Sequence, residues 1–381
     1  MGSSATAPLE PEERQRLRED LQALSEAAGV SGAEGEVRRL IAQRAAPLAD
    51  RLETDVMGNL VAWRYPEGAS GPDGTPVVML AAHMDEVGLL VSHIEGDGTL
   101  RFRKVGGIDD RVLMGQHVRI GPRSIPGVIG VKPFHLQKPD ERGRAEEASQ
   151  LVIDIGADSR EQAEKAVELG DFAVFATRFQ MLGERRALGK AFDDRVGCAV
   201  LLQVLARRYP VSVAAVFTVQ EEVGTRGAEV AAYHVGPDLA LVLEGTTCAD
   251  IAGSEPHAEA TRLGEGPALS VMDATSIASP ALVRLLVRTA EQERIPYQWR
   301  RVTAGGNDAG PIHTSRFGVP CATVSVPCRY IHGPAAICDL RDAEGAVRLV
   351  RGFLAQLGQT GLADGRRPAG GSRQGNGGDA T

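Results

Sequence analysis

The stretch VVMLAAHMDEVG, residues 77–88, runs apolar from Val77 to Ala82 and then delivers a histidine and an acid, His83 and Asp85. A continuous apolar run of this length, closed by polar residues and a glycine, reads as a strand buried on both faces. Three further runs repeat the pattern, at residues 213–219, 239–243 and 321–326. Between them lie helical patterns. Leu17, Leu21 and Leu24 share one helix face, as do Val37, Leu40, Ile41 and Ala45, and longer patterns cover about 194–208, 280–294 and 342–357. Buried strands alternating with helices predict an α/β fold built on a mixed, largely parallel sheet flanked by helices.

The rhythm breaks from residue 88 to residue 177. This span is rich in Gly, Pro and short alternating pieces such as HVRIGP, GVIGV and LVIDIG, with one helix expected around 159–169. It reads as a small β-rich domain inserted between two parts of the α/β domain, 11–87 and 178–362. Residues 1–10 and 363–381 are too poor in apolar side chains to offset chain entropy, and they read as a disordered leader and tail.

Composition narrows the function. The 381 residues carry a net charge of −8 spread along the chain, and the Arg-rich stretch at 14–18 is flanked by Glu on both sides, as on a solvated helix face. Nucleic acid binding needs a clustered basic face, so nucleic acid is not an expected partner. No apolar run approaches the roughly 20 residues that span a bilayer, and the first eleven residues lack an apolar signal segment. Cys198, Cys248, Cys321, Cys328 and Cys338 form no CxxC pair and sit in apolar surroundings. They read as buried thiols in a reducing compartment, and a cytoplasmic location is expected.

The ends of the apolar runs carry the chemistry. In open α/β sheets ligands bind beyond the carboxyl ends of the strands. There the sequence places His83 and Asp85, then Glu221 and Glu222 in AAVFTVQEEVG, Glu244 in LALVLEGTT, and His332 in ATVSVPCRYIHG. GKAFDDRVG puts Asp193 and Asp194 at a helix start, where the positive end of the dipole suits a carboxylate. Singly, each has a plain structural role: either aspartate could cap the helix, and Glu221 and Glu222 could be a solvated loop. Together, two histidines and several carboxylates make a mixed N/O donor set suited to zinc, cobalt or manganese. Adjacent side chains on extended backbone point apart, so one of Glu221 and Glu222 can bind metal while the other handles protons.

The ordered motifs AAHMDEVG, GKAFDDRVG, VQEEVGTRGA, LEGTT and PCRYIHG resemble the tetrahedral, dodecameric aminopeptidases among the co-catalytic zinc exopeptidases. GGIDDRVLMGQHV, GVIGVKPFHL, LVIDIGA and GGNDAGPIH extend the likeness over about 17–357. The resemblance implies a dinuclear metallo-aminopeptidase with two divalent ions per subunit, acting on peptides. It implies that His83, Asp193 and Glu244 hold one ion, and that Asp193, Glu222 and His332 hold the other, with Asp193 bridging. Glu221 would be the general base and acid for a water shared by the ions, and Asp85 would orient the His83 ring. The insert would be a dimerisation domain, with dimers assembling to a dodecamer. Glu244 stands where many relatives carry Asp, Asn307 where they often have Thr, and Cys328 where they often have a basic residue.

Other chemistries compete less well. Members of this family have carried an endoglucanase label, but glycoside hydrolysis needs two facing carboxylates and leaves the histidines idle. A deacylase of N-acyl compounds would use the same ions, and an inactive assembly scaffold would keep the fold alone. No GxSxG motif is present. His93, His117, His135, His234, His257 and His313 have no assigned role.

Overall fold

The computed structural model describes residues 7–360 except 73, 137–145 and 256–257. An eleven-stranded mixed sheet forms the core of the α/β domain. Its centre is four parallel strands in the order Ser212–Thr218, Val77–His83, Leu239–Thr247, Cys321–Arg329, so the end of each run opens on one rim. Antiparallel strands complete the margins. Leu60–Arg64 and Arg51–Thr54 lie on one side, and Ala336–Asp339, Arg186–Gly189 and Gln180–Leu182 on the other.

Alternation along each strand feeds two cores, as period-two side-chain geometry requires. Val78, Leu80, Val213, Ala215, Leu241 and Val324 face one cluster, beneath helices Pro11–Glu26, Phe192–Leu205, Pro280–Gln292 and Leu340–Thr360. Val77, Met79, Ala214, Val216 and Val242 face the other, beneath helices Arg226–Val235 and Ala309–His313. Helix Phe192–Leu205 is buried along its whole length, which accounts for its apolar character on every face.

The insert closes on itself. Strands Gly88–Ile94, Leu100–Val105, Val152–Asp154, Ile125–Gly130, His117–Ile120 and Phe172–Phe175 pair in that order around a six-stranded barrel. Its interior is a separate apolar cluster that includes Leu89, Val91, Phe102, Ile129, Ile153 and Phe175. Closure removes the unpaired edges that an excursion of short strands would otherwise expose.

Two expectations need correction. Residues 1–6 and the tail lie outside the described residues, but Leu9 is buried in the core at the end of the supposed leader. The next residue, Glu10, starts helix Pro11–Glu26, its amide donating to Glu13 Oε2 at 3.1 Å and Pro11 fitting the first turn. The helix expected around 159–169 is only Arg160–Glu164. Ala166 N and Val167 N both close onto Ala163 O, so the chain leaves the helix there with Val167 buried and Leu169 63% exposed.

A buried ionic triad ties the beginning of the chain to the rim. Glu86 Oε1 accepts from Lys190 Nζ at 2.7 Å, Arg195 Nη2 at 3.2 Å and Gly29 N at 3.1 Å. Lys190 also donates to Ala27 O at 2.9 Å. Burial pushes the Lys190 ammonium down to about 8, against the pull of Glu86. Removing Glu86, the one anion of the triad, leaves two uncompensated cations in the interior, a loss of about 3–5 kcal/mol. Glu86→Gln is therefore expected to lower unfolding stability by that amount in urea titration. A change under about 1 kcal/mol would mean that the triad does not brace the fold.

Candidate metal centre

Each side chain singled out at the strand ends reaches the same place. His83 closes its strand, Glu244 lies near the end of the neighbouring one, Glu221 and Glu222 follow Thr218, and His332 follows Arg329. Asp193 enters from the first turn of helix Phe192–Leu205. Its two oxygens face different partners. Oδ1 lies 3.2 Å from His83 Nε2, which is 3.3 Å from Glu244 Oε1. Oδ2 lies 3.3 Å from His332 Nε2, which is 3.4 Å from Glu222 Oε2. His83, Asp193 and Glu244, and again Asp193, Glu222 and His332, each present ligand atoms within 4.8 Å of one another. The two sets differ in access, the His83 side chain being 1% exposed and that of His332 41%.

The adjacent aspartates divide the two readings between them. Asp193 turns into the site, while Asp194 Oδ1 accepts from Gly197 N at 3.0 Å and caps the helix. Gly245 permits the close approach that this needs, since a Cβ there would lie 2.8 Å from Asp193 Cα. Ala191, Gln220 and His332 hold left-handed backbone, with φ of 55°, 56° and 57°. Each such residue costs on the order of 1–3 kcal/mol and persists where the surrounding packing fixes it.

Asp85 is fully buried and organises the rim. It lies 3.5 Å from His83 Nδ1, accepts from Ser31 Oγ at 2.6 Å, and takes the amides of Glu221 at 3.0 Å and Glu222 at 3.2 Å. Its place behind His83 was legible in the motif, but its grip on the Glu221–Glu222 backbone was not. Asp308, in the GGNDAG segment, is a second buried acid, and its carboxylate accepts from the Thr218 hydroxyl. Of the unassigned histidines, His93, His117, His135 and His234 are exposed, His313 is half-buried and bonded to Ala309 O, and His257 lies outside the described residues.

The electrostatics are those of a cation site. Burial, reinforced by neighbouring carboxylates, pushes Glu221 up to about 9 and Glu222 up to about 7, and it drives Glu244 well above the usual range. Hydrogen bonding to Asp193 raises His332 to about 9. Burial opposes the charge on His83 and on Asp193, yet their mutual contacts and those with Glu244 and His332 hold His83 far up and Asp193 far down. Glu244 Oε2 is buried with no hydrogen-bond partner. A cluster that draws protons this strongly, with an orphaned oxygen aimed inward, fits divalent cations, which displace such protons on binding. A cleft of about 400 Å³ opens from Asp193, Glu221 and Glu244 to solvent past Thr246 and Arg300.

A family model described as M42 glutamyl aminopeptidase matches residues 58–349. The chain is 33% identical to a lysyl aminopeptidase of Pyrococcus furiosus, over 88% of this chain and 96% of that one. It is 32% identical to a glutamyl aminopeptidase of Lactococcus lactis, over 91% and 98% of the two chains. Among solved structures it resembles the Pyrococcus horikoshii TET1 peptidase, described as assembling into a tetrahedron or a large octahedral shell. That match has a TM-score of 0.80 and 34% identity, over 90% of this chain and all of the other.

Carboxylates behind a ligating imidazole fix its ring, and their loss typically costs about 10–100-fold in metal affinity. Asp85→Ala is expected to release zinc to a competing chelator at correspondingly lower chelator concentration. Unchanged competition would show that Ser31 and the backbone alone hold the rim.

Proposed function

The chain belongs to the M42 glutamyl aminopeptidase family, and on that footing we propose that it removes N-terminal residues from peptides with two divalent ions. The observation that carries this reading is the Asp193 carboxylate, whose two oxygens face two separate sets of histidine and glutamate. His83, Asp193 and Glu244 would hold one ion and Asp193, Glu222 and His332 the other. Zinc or cobalt suits this donor set, and manganese is compatible with it. When bound, such ions lower the pKa of water and offset negative charge on a carbonyl oxygen.

Glu221 is the proton carrier in this proposal. Its Oε2 lies 4.0 Å from His83 Nε2, and neither metal set uses it. It takes a proton from the attacking water and delivers it to the amine that leaves. Asp85, bonded to the Glu221 amide, holds that side chain at the rim. Glycoside hydrolysis would leave both imidazole contacts of Asp193 without a role.

Several coarser properties accompany the reading. A dimerisation role for the barrel, with dimers assembling to a dodecamer, is part of this proposal on the family resemblance, and the tetrahedral or octahedral shells described for the Pyrococcus horikoshii relative support self-assembly. No helix among the described residues is long and apolar enough to cross a membrane. Cytoplasmic work is supported by five buried, unpaired cysteines.

The test is turnover on aminoacyl p-nitroanilides and their N-acetylated forms, using chelated protein before and after addition of zinc, cobalt or manganese. Metal-restored release from free-amine substrates alone is expected; activity confined to acetylated substrates would overturn the reading in favour of a deacylase. Glu221→Gln should lose about 10²-fold or more in kcat while binding metal as before. Near-normal turnover by that variant would remove Glu221 from the mechanism.

A further inference from the structure

We propose that Arg300 reads the side chain of the residue being removed, and that this enzyme prefers an acidic N-terminal residue, glutamate or aspartate. The inference rests on the aminopeptidase reading above and concerns the cleft beside the metal centre. Family membership leaves the preference open, since relatives are named for both lysyl and glutamyl substrates.

The cleft does not select by apolar fit. At about 400 Å³ it is roomy, and much of its wall is small: Gly245, Ala249, Ala258, Ala260, Ala304 and Gly306. No phenylalanine, tyrosine or tryptophan lines it among the described residues, and Val302 and Ile331 are the only branched apolar side chains there. A leucine or phenylalanine side chain would therefore bury little surface against a close-fitting partner, and burial is the main source of apolar affinity.

Charge is placed more selectively. Among the described lining residues, Arg300 is the one lysine or arginine. Its guanidinium is fixed against the wall: Nε donates to Thr246 Oγ1 at 3.1 Å, Nη1 to Val302 O at 2.7 Å and Nη2 to Ala304 O at 2.6 Å. A guanidinium has five N–H donors, so these three bonds leave two for a ligand. Gly305 keeps one side clear, because it holds φ at 77° and even a Cβ there would stand 3.8 Å from Nη2. Thr246 lies two residues beyond Glu244 on the same strand, a spacing of about 7 Å on one face. A carboxylate at the end of a short side chain can reach the guanidinium while its own carbonyl lies at the metal centre.

The cleft also contains an acid, Asp273, which would favour a basic side chain if it were available. It is not. Oδ1 accepts from Thr275 N at 2.7 Å, Thr275 Oγ1 at 3.0 Å and Ser276 N at 2.7 Å, and Oδ2 accepts from Ser276 Oγ at 3.0 Å and Asn307 Nδ2 at 3.4 Å. With its lone pairs engaged and only 6% of its surface exposed, Asp273 has no acceptor left for a substrate ammonium. The available donor group and the closed acceptor group together select for a carboxylate.

The experiment compares kcat/KM for glutamyl, aspartyl, alanyl, leucyl and lysyl p-nitroanilides on the metal-reconstituted full chain. A hydrogen-bonded charge pair predicts glutamyl over leucyl by roughly 10–100-fold. Arg300→Gln should bring that ratio close to one. Arg300→Lys, which keeps the charge but loses the fork, should retain part of it. Faster turnover of the leucyl or lysyl substrate by the unmodified enzyme overturns this proposal alone. An equal loss of the ratio in the Lys and Gln variants also overturns it, reducing Arg300 to a brace for the 302–304 wall. No turnover of any free-amine substrate with any metal would overturn the aminopeptidase reading, and this proposal with it.

Discussion

One buried carboxylate, that of Asp85, connects segments that are far apart in the chain. It holds the amides of Glu221 and Glu222, bonds the Ser31 hydroxyl and abuts the His83 ring. The next residue, Glu86, anchors Lys190 and Arg195, which flank Asp193 in sequence. Two consecutive acids therefore position both sides of the centre. Asp85 sets the imidazole and the glutamate pair, and Glu86 sets the loop that carries the shared aspartate. Such a cluster tolerates little play, because each polar atom removed from water must keep its partner.

The parallel centre of the sheet was legible because its strands are continuous apolar runs, two of which stop directly at a residue that is costly to bury alone, His83 and Glu244. Val77 to Ala82 ending at His83 is the clearest case. Alternating short pieces in the 88–177 span likewise announced a β-rich insert, although nothing in them indicated closure into a barrel. Sequence reasoning failed where the deciding contact is distant. Ser31 and Arg300 belong to unremarkable stretches, Lys190 was overshadowed by the aspartates of its own motif, and their partners lie 54, 104 and 54 residues away. Asp193 and Asp194 could not be told apart by pattern, since both suit a helix start. Leu9 was assigned to the leader because one leucine among polar residues gives no periodicity, yet it is buried in the core just ahead of the first helix.

The barrel and the sheet solve the same problem in different ways. The sheet ends in antiparallel strands, and Arg51–Thr54 at one margin carries Arg51 and Glu53 on partly exposed backbone. Charged residues on a margin discourage pairing with another chain, while the barrel avoids the hazard by having no margin. The insert leaves the rim just after Val87, at the point where Asp85 and Glu86 are pinned. Variation in its outer loops can thus proceed without loosening the centre, which is held from the α/β side.

The origin of the site in five separate stretches has a consequence for the life of the chain. His83 belongs to its first quarter and His332 to its last, with the whole barrel between them. Contacts of such wide separation form late, because the intervening loop must be closed before they contribute. During synthesis the growing polypeptide therefore has no complete centre, and hydrolytic capacity arrives only when the last parallel strand takes its place. An unfinished copy so arranged is inert toward itself and toward the nascent chains around it.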